Sequence, residues 1–144
     1  MFDLPCVGKD GITRVFKYDY ARDQFEPKWH FRVYADPPDP SGDWFDFTVE
    51  DKDPNTVRVD VMNANGVKAY QKMGIPEAII VGAASVLGKR VVSSPSQGPA
   101  GVWRTPEATK AWERLLKQGK ANYDHSTDLF AHPVVMPLPP LHQP

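Results

Sequence analysis

Apolar and polar positions alternate with a period of two through much of the first half of the chain. Arg14 to Tyr20 sets Phe16, Tyr18 and Tyr20 against Val15, Lys17 and Asp19, and Trp29 to Ala35 sets Trp29, Phe31, Val33 and Ala35 against His30, Arg32 and Tyr34. Trp44 to Glu50 places Phe45, Phe47 and Val49 on one face, and Thr56 to Met62 does the same with Val57, Val59 and Val61. This is the signature of half-buried strands. The connections between them are short and rich in Asp and Pro (Asp36–Asp43 and Asp51–Asn55), so an antiparallel meander is predicted. Residues 1–14, with Gly8, Gly11 and interspersed charge, predict no definite element.

The period then changes. Gln71-Lys72-Met73-Gly74-Ile75-Pro76 is a turn that opens into Glu77–Leu87, an apolar stretch with almost no polar face. It predicts a helix buried against the sheet and stopped at Gly88. Arg90–Ser94 predicts a short strand, and Pro95 to Gly101 a loop. The next helix has the clearest signals: Thr105 as N-cap, Pro106 in the first turn, and Ala108, Ala111, Trp112, Leu115 and Leu116 on one stripe before Gly119. Lys120–Asp124 and Leu129–His132 predict a closing hairpin. The expected organisation is one domain over residues 1–132 and a proline-rich tail over 133–144.

Composition narrows the classes. The chain has 144 residues, 41% of them hydrophobic, and a net charge of −1, which suits a folded domain with a sizeable core. Basic residues are scattered, so no nucleic-acid footprint appears. No apolar run approaches membrane-spanning length and no secretory signal opens the chain, so the expectation is a cytoplasmic protein with no membrane partner. Cys6 is the single cysteine, which removes disulfides and cysteine-rich zinc sites. Asp36, Asp39 and Asp43 do not follow the calcium-loop pattern, His125 and His132 lack ligand spacing, and Ser93-Ser94-Pro95 lacks the glycines of a nucleophile elbow. No metal is expected.

Chemistry concentrates at the turn before the first helix. Amides at a helix start have no intrahelical partner and carry partial positive charge, and a glycine there permits close approach of an anion. On these six residues alone, a plain strand-to-helix connection that needs glycine for its turn is the stronger reading.

The order of elements, with this turn, resembles the core of the GNAT superfamily of acyl-CoA-dependent N-acyltransferases. Gln71, Gly74 and Ile75 match that family's pyrophosphate loop, and Trp112 stands in the aromatic place of its later helix. The likeness covers roughly residues 28–132. It implies an α+β fold: a mixed, mainly antiparallel twisted sheet with two main helices, in a three-layer α/β/α arrangement. It also implies acetyl-CoA as co-substrate and an amine acceptor of unstated identity. The coenzyme would be held by Val61, Gln71, Lys72, Met73, Gly74 and Ile75, with a strand amide polarising the thioester carbonyl. Glu50, Asp60 and Tyr123 are the candidate catalytic groups. The sequence departs from the pattern at several places. The stretch between Val61 and Gln71 is longer than the family's connection, and the family's N-terminal helices have no counterpart before Trp29. Pro76 has no amide to offer a phosphate, and Trp112 has no titratable proton where a tyrosine acid is common. A GNAT-like binding or interaction module without catalysis is therefore the alternative. Trp29, Trp44 and Trp103 are candidates for a homodimer surface.

Overall fold

The computed structural model describes residues 1–97 and 103–133. The proline-rich tail from residue 134 onward and the second half of the loop expected at 95–101 lie outside the described residues. The strands are β1 (Phe2–Val7), β2 (Thr13–Arg22), β3 (Lys28–Tyr34), β4 (Phe45–Asp53), β5 (Thr56–Asn63), β6 (Arg90–Val92), β7 (Asn122–Asp124) and β8 (Leu129–His132). Two α-helices accompany them, α1 (Ile75–Leu87) and α2 (Pro106–Lys117), with a 3-10 turn at Lys68–Tyr70. All eight strands form one sheet in the order β1-β2-β3-β4-β5-β6-β8-β7. The first five make an antiparallel meander, β5 and β6 run parallel across α1, and β8 inserts between β6 and β7. The fold class expected from the sequence is the one found: α+β, a mixed and mainly antiparallel sheet with two main helices.

The alternation of the meander decides which face is core. Leu4, Cys6, Phe16, Tyr18, Phe31, Val33, Phe47, Val49, Val57 and Val59 are all buried on one side. Helix α1 lies across that side, with Ile79, Ile80, Ala83 and Ala84 buried. A Cβ at Gly82 would sit 3.5 Å from Leu4 Cδ1, so the helix reaches the outermost strand. Helix α2 lies beside α1: Arg114 donates to both carboxylate oxygens of Glu77 at 3.0 and 2.9 Å, and Trp112 stacks on Phe130 of β8. Both helices thus share one face, and the described layers are two rather than three. The opposite face carries cross-strand charge pairs, Asp19 opposite Arg32, Arg32 opposite Asp46, and Glu50 opposite both Lys28 and Arg58. Such pairs suit a sheet face left to water.

Residues 1–14 hold an element that their pattern does not announce. Strand β1 pairs with β2 from Phe2↔Tyr18 to Val7↔Thr13. Pro5 obscures the alternation of Leu4 and Cys6, and the sheet tolerates it because β1 is an edge strand.

Strand β5 is irregular in two places. Thr48 pairs with Val61 but Val49 pairs with Val59, so Asp60 bulges out of the ladder. Pairing with β6 stops after Arg58↔Val92. Beyond it no further ladder pair forms, and Ser94 Oγ donates to the Val59 carbonyl at 2.8 Å.

Candidate functional site

The turn before α1 is built from two left-handed residues, Lys72 (φ 59°) and Gly74 (φ 78°). Gly74 is the N-cap, and its carbonyl accepts the Ala78 amide at 3.2 Å. A Cβ on Gly74 would lie 2.1 Å from the Val7 carbonyl oxygen. Glycine is required here because the end of β1 passes directly over the turn. The β1–β2 turn closes on it further, the Lys9 amide donating to the Lys72 carbonyl at 2.9 Å.

These two turns frame an open groove of about 500 Å³ lined by Lys9, Asp10, Lys68, Gln71, Lys72 and Met73. Asp10 is engaged by Arg14, which donates to its two oxygens at 3.2 and 2.7 Å and holds the carboxyl down at about 2. Among the described residues the three lysines form no ion pair, so the groove carries a surplus of positive charge. Of the coenzyme residues expected from the sequence, Gln71, Lys72 and Met73 line the groove. Ile75 is fully buried in the core, and Gly74 is pressed against Val7. Lys9 and Lys68 are additions that the sequence pattern does not offer. Lys9 sits in a stretch with no legible element, and Lys68 precedes the matched motif.

A second space lies beyond the last β5–β6 pair, walled by Val59, Asp60, Met62, Ser94, Trp103 and Trp112. It measures about 50 Å³, the volume of one or two waters. Val61, next to the bulged Asp60, is 39% exposed.

Glu50 and Asp60 come together through Arg58, whose guanidinium lies 3.8 Å from Glu50 and 3.1 Å from Asp60. Lys28 also reaches Asp60 at 3.4 Å. Lys52 donates to Glu50 at 3.1 Å and lowers its proton affinity, which weakens it as a base. Tyr123 belongs to a different cluster. Its hydroxyl donates to Asp128 at 2.7 Å, which raises its pKa and makes the proton harder to release. Arg104, with a side chain 5% exposed, donates to Asp128, the Ser94 carbonyl and Thr109, and lies over the Phe130 ring. Trp112 is a core residue, 1% exposed.

No family model matches the chain, and no curated protein matches it. A solved structure, the cAMP-binding acyltransferase from Mycobacterium smegmatis, aligns with it at a TM-score of 0.49 and 12% identity. That alignment covers 96% of this chain and 50% of the other. This chain thus spans about half the length of that protein. Among the described residues no helix is long and apolar enough to cross a membrane.

Proposed function

We propose that this chain binds a coenzyme A thioester, with the lysine groove at the Gln71–Met73 turn taking the phosphates, and transfers its acetyl group to an amine. The groove carries the reading. Three ammonium groups, none in an ion pair among the described residues, line an open space of about 500 Å³ beside a left-handed turn, a setting that favours a polyanion. The end of the β5–β6 pairing supports it, since it lies next to the Asp60 bulge on the strand that the resemblance assigns to the thioester carbonyl. Entry of the pantetheine arm there requires the exposed Trp103 to swing aside, because the present space is so small.

The same geometry favours a second reading, a coenzyme-binding module without transfer. Glu50 and Asp60 are tied into ion pairs, and Tyr123 is clamped on Asp128. Calorimetry with coenzyme A and then with acetyl-CoA and simple amines separates the two. Binding with release of free thiol supports transfer, and binding without release supports the module. In either case Lys68→Glu and Lys72→Glu should each weaken binding roughly tenfold, about 1.4 kcal/mol. Undiminished binding in both variants would rule the groove out as the phosphate site.

A further inference from the structure

On the helix-free face of the sheet, three polar side chains form an ordered chain of hydrogen bonds that coenzyme binding does not use. Asp23, in the β2–β3 loop, accepts the Phe25 and Glu26 amides on Oδ1, both at 2.9 Å. Its Oδ2 lies 2.8 Å from His30 Nε2. The other ring nitrogen, His30 Nδ1, lies 3.2 Å from Thr48 Oγ1 on the neighbouring strand. His30 and Thr48 are direct cross-strand partners.

The partners dictate the protonation. The two amides and the imidazole hold the Asp23 carboxyl down at about 2, so it is an acceptor at neutral pH. In the neutral imidazole a hydrogen on Nε2 for Asp23 puts the lone pair on Nδ1, where it accepts the Thr48 hydroxyl proton. A carboxylate, an imidazole and a hydroxyl connected in this way form the constellation that activates an alcohol.

We propose that Thr48 is an activated hydroxyl that accepts an acyl group from an activated ester or thioester, with His30 as its base and Asp23 as the group that orients the imidazole. In the step, Thr48 Oγ1 bonds to the acyl carbon and its proton passes to His30 Nδ1. The bond from that carbon to the leaving oxygen or sulfur breaks, and the leaving group departs with the electron pair. Asp23 stabilises the imidazolium, which then loses its proton to water. Thr48 is 7% exposed and the His30 side chain 41% exposed, so acylation requires the donor to enter past the imidazole.

The test uses the full chain and p-nitrophenyl acetate, which needs no coenzyme groove, so its result does not depend on whether coenzyme A binds. The expected result is a burst of about one equivalent of p-nitrophenolate, with a single acetyl group mapped to Thr48 by peptide mass spectrometry. Thr48→Val, nearly isosteric, should abolish the label, and Thr48→Ser should restore it. His30→Gln should slow labelling roughly 100-fold, the usual contribution of a general base. Thermal melting shows that each variant is folded, and Asp23→Asn, which retains an oxygen for the loop amides, should slow labelling in a folded protein. Absence of acetyl at Thr48 in the wild type, or labelling at an unchanged rate in His30→Gln, would overturn the proposal.

Discussion

At the scale of single residues, the turn glycine has a reason that its local sequence does not contain. The motif around Gly74 invites a reading in which the missing side chain admits a ligand, whereas the atom nearest to its absent Cβ is the Val7 carbonyl oxygen at 2.1 Å. A side chain would both strain a left-handed backbone and push β1 from the sheet edge. Gly74→Ala should therefore cost about 2 kcal/mol or more in chemical denaturation, independent of any ligand. A variant as stable as the wild type would mean that β1 does not hold this position. The carboxylates make a second residue-scale prediction. Asp10 and Asp23 sit at about 2 in the folded chain, and Asp128 is lowered further by its hydrogen bonds to Ser96, Tyr123 and Arg104. Their ordinary unfolded value is about 3.9. Depressed folded values mean stability that is present above pH about 4 and lost as pH falls toward 2. Melting temperature should drop across that window, and Asp128→Asn should flatten the drop.

At the scale of elements, the two helices differ in how they are specified. Helix α2 is specified locally, with the Thr105 hydroxyl accepting the Ala108 amide at 3.1 Å and one apolar stripe burying Ala111, Trp112 and Leu115. Thr105→Ala should cost about 1 kcal/mol, measurable by denaturant midpoint. The Arg114–Glu77 pair joining the helices is half exposed at the arginine, so Arg114→Ala should cost less than about 1 kcal/mol. A larger loss would show that the helices depend on the pair rather than on Trp112 and its neighbours. These boundaries, like those of the meander, were legible because alternation and capping are local properties. Strand β1 was not, since Pro5 interrupts its propensity and its burial is supplied by β2 and α1. The Asp60 bulge was equally hidden, because register depends on which residues face each other across two strands.

At the scale of the whole molecule, the sheet separates the chain into a covered face and an open one. Both helices lie on the side of the sheet that buries Leu4, Phe31 and Val49, while His30, Arg32, Glu50 and Arg58 belong to the opposite side. Sequence periodicity identified the two faces but not that the helices share one. That arrangement arises from the parallel crossover between β5 and β6 and from the position of β8 beside β6, both long-range features. Of the anticipated site, Gln71, Lys72 and Met73 meet in one groove. Its charge is completed by Lys9, brought in by the turn after the strand that was unreadable, and by Lys68.

Coenzyme binding in that groove is read out by a thermal melt of the chain against increasing coenzyme A. A ligand at a hundred times its dissociation constant adds about 2.7 kcal/mol of stability, which for a domain of this size raises the melting temperature by roughly 5–10 °C. The expected result is that rise, together with a smaller one in Lys68→Glu and Lys72→Glu. An unchanged melting temperature at millimolar coenzyme A would contradict the assignment of the groove.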